Sequence, residues 1–193
     1  VTDKQTGYEL DVDNEYIMSP KDLKTIGFLD EIIRAGVTVF KIEGRARSAE
    51  YVRTVTACYN EAIHAVLDGS FGAEKIAEWD KRLAAVFNRG FWDGYYLGQR
   101  LGEWADSYGS QSTYRKQYLG KGMNYYDKLQ VADFLIETGE LSLGDTVLIT
   151  GPTTGVIEHE VSGMRVDDRE VKVAQKGDRI SFPLPQKIRR SDK

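Results

Sequence analysis

The hydrophobic period of this chain changes near residue 114, and the change constrains the fold more than any other feature. Before it, apolar residues recur mainly at helical spacing, whereas after it short runs of β-branched and aromatic residues alternate with Gly and Asp turns. A length of 193 residues accommodates two small domains. We therefore predict an α/β segment over residues 1–103, a linker over 104–113 and a small all-β domain over 114–193.

The first helix is predicted from its start signal. A short apolar run at 16–18 is followed by Ser19 and Pro20, and Asp22 completes a capping box with Ser19. Apolar residues then recur at helical spacing until Gly36, which is a natural helix stop. The order up to this point is a short strand followed by a helix.

A second strand–helix pair follows directly. Residues 37–42 are apolar on both faces except at Lys41, which is typical of a parallel strand buried on two sides. Amphipathic helices are predicted over 51–66 and over 73–87. This order predicts the last βα units of a TIM-like α/β barrel. Two strands cannot bury both faces of a parallel sheet, so the segment needs strands upstream or a partner.

The second half is predicted to form a six-stranded, closed or nearly closed β-barrel. Its strand-like runs are separated by turns such as Leu143-Gly144-Asp145 and Lys176-Gly177-Asp178. The six runs are Gln117–Tyr125, Gln130–Ile136, Thr146–Thr150, Gly155–Val166, Glu170–Ala174 and Arg179–Pro183.

Composition bounds the environment and the partners. A single cysteine cannot form an internal disulfide, and no apolar run approaches the ~20 residues of a membrane helix, so we expect a cytoplasmic protein without membrane contact. Residues 1–110 hold 13 Lys+Arg against 18 Asp+Glu, and residues 111–193 hold 13 against 12. Neither half is a strongly basic surface, so any RNA contact is local. The polar start at Val1 reads as a cut end.

Charged residues cluster where the second predicted strand ends. Lys41 and Glu43 share one face of a strand, at the end that carries the active site in an α/β barrel, so we expect them to be catalytic. Arg45 and Arg47 offer forked donors that suit carboxylate or phosphate. Ser48 lies at the start of the next helix, where anions are favoured. The alternative is a structural Lys41–Glu43 pair with solvated arginines.

The residues that follow the first predicted strand are placed like Arg45, Arg47 and Ser48, which follow the second. Ser19, Lys21 and Asp22 are therefore further candidates for substrate binding. Arg89, in a Gly-punctuated aromatic turn, either reaches the barrel mouth or caps a helix.

Other reactive residue types give weaker signals. His64, His159 and Cys58 lack the spacing of metal ligands, so no metal site is predicted. The tyrosines of the β-half either stack on bases or pack within strands. They are Tyr114, Tyr118, Tyr125 and Tyr126.

Several ordered motifs resemble the collagenase-like peptidase family of unknown catalytic type. The motifs of the first half are Met18–Leu23, Phe40–Arg45, Ser48-x-x-Tyr51-Val52 and Asn88–Phe91. Those of the second half are Leu143–Asp145, Gly151–Gly155 and Lys176–Asp178. The resemblance covers nearly the whole chain, and it implies that the β-half is similar to the β-barrel domain of translation factors.

The resemblance implies two kinds of activity. Members are named proteases, but several are hydroxylation proteins that act on tRNA wobble uridine (with prephenate), on ribosomal RNA or on a ubiquinone precursor. These members carry an iron–sulfur cluster on four cysteines, upstream of the segment that resembles this chain. Cys58 matches none of those ligands, so we expect no cofactor in this chain and a cluster only in a longer parent protein.

Three hypotheses follow. The preferred one is the C-terminal part of an RNA-modifying, tRNA-hydroxylating enzyme, inactive alone, in which Arg45 and Arg47 bind an RNA phosphate or a prephenate carboxylate. The second is a peptidase whose nucleophile or metal lies outside this segment. The third is a non-catalytic module whose β-half docks RNA or protein.

Overall fold

The computed structural model describes residues 2–9, 15, 19–99 and 102–193, and the chain divides into two compact units, Val1–Arg115 and Lys116–Lys193. The apolar run predicted as a strand at 16–18 lies outside the described residues. Among the described residues, no helix combines the length and apolar character needed to span a bilayer.

The first unit is mainly helical. Its elements are β1 (Asp22–Leu23), a 3-10 helix (Ile26–Phe28), α1 (Leu29–Arg34), α2 (Ala49–Asp68), α3 (Ala73–Ala85) and β2 (Phe91–Trp92). The helical stripes predicted for α2 and α3 are confirmed, because their apolar faces bury residues such as Cys58, Ala62 and Trp79 in one core. Gly69 ends α2 with a left-handed φ of 78°, a conformation that glycine adopts without strain.

The predicted helix start at Ser19 is wrong. Asp22 and Leu23 instead pair in parallel with Phe91 and Trp92, and helical structure begins only at Ile26. The Asp22 carboxylate accepts charge-assisted hydrogen bonds from arginines, and such bonds are stronger than a cap to a backbone N–H.

The strand predicted over 37–42 is also absent. A parallel strand requires hydrogen-bonded neighbours, and none of the described strands pairs with this run. Val39 is 82% exposed, whereas Phe40 and Ile42 pack on the core. Lys41 and Glu43 are both exposed, so they do share a side of this extended segment. The described residues of this unit do contain one parallel pair, β1–β2, but neither of its strands was predicted.

Residues 102–113 belong to the first unit and are hydrogen-bonded to earlier parts of it. The Ala105 N–H donates to the Ser19 carbonyl (2.8 Å), the Gln111 N–H to the Asn88 carbonyl (2.7 Å) and the Thr113 N–H to the Ala84 carbonyl (2.9 Å). The segment that we predicted as a linker is therefore hydrogen-bonded to the rest of the first unit near both of its ends.

In the second unit, which is all-β as predicted, the run predicted over 155–166 forms two strands, the run predicted over 170–174 forms two, and the strand Glu140–Ser142 was not predicted. The unit therefore has nine strands rather than six. They are β3 (Gly120–Tyr126), β4 (Val131–Ile136), β5 (Glu140–Ser142), β6 (Thr146–Gly151), β7 (Gly155–Glu160), β8 (Met164–Val166), β9 (Arg169–Val171), β10 (Val173–Gln175) and β11 (Arg179–Pro183). A five-stranded sheet has the order β3-β4-β11-β8-β9, and β5–β10 and β6–β7 form separate pairs. All three enclose one core that includes Phe134, Ile157 and Ile180, which gives a barrel-like unit.

The last residues of the chain connect two edges of this unit. The Gly122 N–H of β3 donates to the Asp192 carbonyl (2.7 Å), and Thr150 of β6 exchanges two backbone hydrogen bonds with Lys193 (2.6 and 2.9 Å). The buried Asp192 carboxylate accepts from the Arg189 N–H (2.7 Å) and the Thr154 hydroxyl (2.5 Å). We call residues 189–193 the C-terminal segment.

Replacing Gly151 by Ala tests the packing of the C-terminal segment. A Cβ at Gly151 would overlap the Asp192 carboxylate, so we expect a loss of about 1–3 kcal/mol in the free energy of unfolding of the second unit. Gly163→Ala is the matched control, because a Cβ there has no neighbour within 4 Å. The measurement is urea dependence of amide hydrogen exchange in β6. Equal exchange in the two variants would contradict this packing.

Glu61 gives the first unit a defined pH dependence. Its carboxylate accepts from Arg82 Nη1 (2.6 Å) and Trp79 Nε1 (3.0 Å), and the Arg82 hydrogen bond lowers the pKa of Glu61 below 4.5. The unfolded chain therefore binds a proton at higher pH than the folded chain, so stability falls as the pH drops through and below 4.5.

Glu61→Gln should make this acid-side loss smaller, since Gln does not titrate. Trp79, Trp92 and Trp104 all lie in the first unit, so tryptophan fluorescence during urea unfolding reports this unit alone. An identical acid-side loss in wild type and Glu61→Gln would show that the Glu61 interaction contributes nothing to it.

Candidate functional site

One carboxylate in the first unit binds two arginines from distant parts of the chain. Asp22 Oδ1 lies 3.1 Å from Arg47 Nη2 and 3.2 Å from Arg89 Nη2, and Asp22 Oδ2 accepts from the Arg89 backbone N–H (2.9 Å). The Asp22 side chain is only 18% exposed. We call Asp22, Arg47 and Arg89 the Asp22 cluster. It joins β1 to the turn before α2 and the turn after α3.

Backbone pairing brings Asp22 to Arg89. The Asp22 N–H donates to the Gly90 carbonyl (2.9 Å), so β1 lies alongside the turn that carries Arg89. The buried Asn88 side chain shapes this turn, because Asn88 Nδ2 donates to the Val86 carbonyl (2.9 Å) and Oδ1 accepts from the Gly90 N–H (3.1 Å). Gly90 has a φ of 80°, which favours glycine.

Aromatic rings hold Arg47 on the other side of the cluster. Its guanidinium carbon lies 4.1 Å from the Phe87 ring centroid and 5.5 Å from that of Tyr51. Such stacking is favourable for a cation and leaves the Nη atoms available to oxygen acceptors. The Arg47 N–H also donates to the Gly44 carbonyl (3.0 Å), so the preceding turn is closed.

The cluster carries excess positive charge. Asp22 is the only carboxylate that contacts Arg47 or Arg89 among the described residues, so two guanidinium groups share one negative charge. Arg89 Nε is buried and finds no acceptor among these residues. The neighbouring lysines are paired: Lys21 Nζ lies 2.8 Å from Glu103, whose hydrogen bond raises the pKa of Lys21, and Lys24 Nζ lies 2.8 Å from Asp80.

The structure thus brings together three of the predicted site residues: Asp22, Arg47 and Arg89. Lys41, Glu43 and Arg45 are exposed, and Glu43 Oε1 accepts from the Arg45 N–H (2.8 Å). Their predicted catalytic and binding roles stay predictions.

The remaining candidates make local contacts. Ser19 contributes its carbonyl to the Ala105 N–H (2.8 Å), and Lys21 is held by Glu103. Ser48 precedes α2, and its hydroxyl donates to Glu50 Oε1 (2.6 Å). The roles of Asn88 and Phe87 were missed from the sequence, where only the Asn-Arg-Gly turn signal pointed to them.

The adjoining cavity is too small for a substrate. It measures about 40 Å³ and is lined mainly by apolar and aromatic residues such as Val55, Leu83 and Phe91. A space of this size holds at most a few water molecules. A ligand of the cluster would therefore lie on its solvent side.

Within the described residues, no group of three or more His, Cys, Asp or Glu side chains is arranged to hold a metal ion. Cys58 is buried, and burial raises the pKa of its thiol to about 11, which makes it a poor nucleophile.

The candidate tyrosines of the second half differ in environment. The Tyr125 hydroxyl donates to the Leu184 carbonyl (2.8 Å), so this residue is structural. Tyr118 and Tyr126 are exposed, and the Tyr118 hydroxyl is hydrogen-bonded to Glu137.

The first unit, which carries the Asp22 cluster, is also the part of the chain that matches a known family. The model of peptidase family U32 matches residues 2–106, so the chain belongs to peptidase family U32.

Its relatives carry two kinds of name. The chain is 59% identical to a collagenase of Porphyromonas gingivalis (100% of this chain, 47% of the relative) and 38% identical to an uncharacterized protease of Methanocaldococcus jannaschii (96% and 46%). It is 31% identical to tRNA hydroxylation protein P1 of Bacillus subtilis (91% and 42%). The chain therefore spans about half the length of the curated relatives it matches.

Asp22→Asn tests the cluster. The variant replaces a carboxylate that accepts three hydrogen bonds, from Arg47 Nη2, Arg89 Nη2 and the Arg89 backbone N–H, with a neutral amide. We expect a loss of about 1–3 kcal/mol in the free energy of unfolding of the first unit. Tryptophan fluorescence during urea unfolding measures it. Asp30→Asn removes an exposed helix pair with Arg34 and should cost less than about 0.5 kcal/mol. Equal losses would show that Asp22 is an ordinary surface carboxylate.

Proposed function

We propose that this chain is the C-terminal part of an RNA-modifying enzyme that acts in tRNA uridine hydroxylation. The observation that carries the proposal is the Asp22 cluster, in which two fixed guanidinium groups share one carboxylate. RNA carries one phosphate per nucleotide, and arginine is suited to bind phosphate through paired hydrogen bonds. The similarity to a tRNA hydroxylation protein over 91% of the chain supports the same function.

In this proposal the site residues have distinct roles. Arg47 and Arg89 bind the anionic group of the substrate, and Asp22 positions them. Lys41 and Glu43 take part in the chemistry, in which Glu43 orients a neighbouring cation or moves a proton. Arg45 lines the same active site. The exposed side chains of Lys41, Glu43 and Arg45 are accessible to a large substrate.

The proposal extends to the whole protein. There the first unit would complete a TIM-like α/β barrel, the second would serve as a translation-factor-like β-barrel, and the enzyme would act in the cytoplasm with prephenate as a candidate second substrate. A four-thiolate iron–sulfur cluster does not fit this chain, which has one cysteine, buried. Its ligands would be upstream cysteines, and none of the roles above depends on it.

Proteolysis is the second candidate. It is favoured by one specific observation, the 59% identity to a protein named collagenase. The two functions predict different products: an altered nucleoside in tRNA or a cleaved polypeptide.

Whole-protein variants separate these functions in a strain that lacks the gene. We expect Lys41→Ala, Arg45→Ala, Arg47→Ala and Arg89→Ala to abolish hydroxylated uridine in digested tRNA, measured by mass spectrometry, because each removes a charge from the site. Arg34→Ala, which removes an exposed arginine paired with a helix carboxylate, should restore normal levels. Each variant is checked for soluble expression.

Wild-type levels of hydroxylated uridine in all four variants would end the assignment. Unchanged tRNA in the deletion strain, together with collagen cleavage by the purified whole protein, would support the peptidase instead.

A further inference from the structure

The guanidinium group of Arg89 has one hydrogen-bond donor that the chain does not satisfy. Its Nη2 and its backbone N–H both bind Asp22, at 3.2 and 2.9 Å, but Nε is buried without an acceptor among the described residues. Buried N–H groups are nearly always paired in folded proteins, and an unpaired one costs free energy. Solvent does not reach Nε itself, so a further acceptor would contact the exposed part of the same guanidinium group.

The net charge of the Asp22 cluster indicates which kind of oxygen acceptor it would bind. Lys21 and Lys24 are neutralised by Glu103 and Asp80, so they leave no excess charge nearby. Among the described residues Arg47 and Arg89 share the single carboxylate of Asp22, which leaves one positive charge of the cluster uncompensated there. An ionised oxygen is therefore favoured over a carbonyl or a hydroxyl.

The cluster is also preorganised. Phe87 holds the Arg47 guanidinium, and the Asn88 side chain closes the turn that carries Arg89. Fixed donors lose little conformational entropy when they bind, so such a site binds more tightly than mobile surface arginines. The Arg89 side chain is 31% exposed, so an anion can approach its guanidinium from the solvent side.

We infer that the Asp22 cluster binds a single oxyanion, a phosphate or a carboxylate group, whose oxygens contact the exposed parts of the Arg89 and Arg47 guanidinium groups. This inference rests on the proposed function in treating the cluster as part of a substrate site. The binding itself requires no modification activity and can be measured on the 193-residue chain.

The test follows the Arg89 Nε–Hε signal by NMR in chain labelled with ¹⁵N-arginine. Sodium phosphate and sodium acetate are titrated separately, with sodium chloride at matched ionic strength, and the signal is assigned by its loss in Arg89→Lys. We expect a saturable shift of the Arg89 Hε proton with an oxyanion and not with chloride, because the bound anion changes the charge around this guanidinium group. The Arg34 signal, from an exposed arginine paired with Asp30, is the internal control.

The two anions distinguish the source. A shift with phosphate alone indicates a nucleic-acid phosphate, and a shift with acetate alone indicates a carboxylic acid substrate. An Arg89 signal that moves no more than the Arg34 signal in both titrations would overturn the inference.

A second measurement does not depend on the assignment. Oxyanion binding should raise the thermal midpoint of wild type above that in matched chloride, and Arg47→Gln or Arg89→Gln should lose this increment. An equal increment in the variants would also overturn the inference. If the protein binds the anion but leaves tRNA unmodified, the proposed function is wrong and the anion site stands. If it modifies tRNA but binds no anion at the cluster, the proposed function stands and the anion site is wrong.

Discussion

The Asp22 carboxylate accepts hydrogen bonds from two guanidinium groups and one backbone N–H, and these contacts span up to 67 residues of sequence. In this way one side chain of a two-residue strand fixes the turns before α2 and after α3. Losing it would leave two partly buried cations without a counter-charge among the described residues, a situation that is costly at low exposure. The position of both arginines, and hence any ligand they bind, depends on this carboxylate.

The second unit is stabilised differently. Its core is apolar and draws on all three of its sheets, and the C-terminal segment links β3 to β6 through backbone hydrogen bonds. The buried Asp192 carboxylate orders that segment, and Gly151 leaves room for it. The two units therefore respond to different substitutions, which allows each to be followed separately.

Regular periodicity made much of this fold predictable from sequence. The apolar residues of α2 and α3 recur with the 3.6-residue period of a helix. The backbone at the C-terminal end of α2 is left-handed, a conformation that favours the glycine found there, Gly69. The run over 37–42 was misread because a doubly apolar run forms a buried strand only where neighbouring strands exist. The residue types of the site were recognised, but the Asp22–Arg89 pairing was not, because local patterns do not report contacts 67 residues apart.

Coupling energies between Asp22 and the two arginines test the central claim most directly. The measurement compares the free energies of unfolding of Asp22→Ala, Arg47→Ala, Arg89→Ala and the corresponding double variants, followed by tryptophan fluorescence. Shared hydrogen bonds predict a coupling of about 0.5–3 kcal/mol between Asp22 and each arginine, with loss of stacking on Phe87 cancelling in the cycle. Losses that add within about 0.3–0.5 kcal/mol for both pairs would show that the Asp22 cluster does not hold the site together.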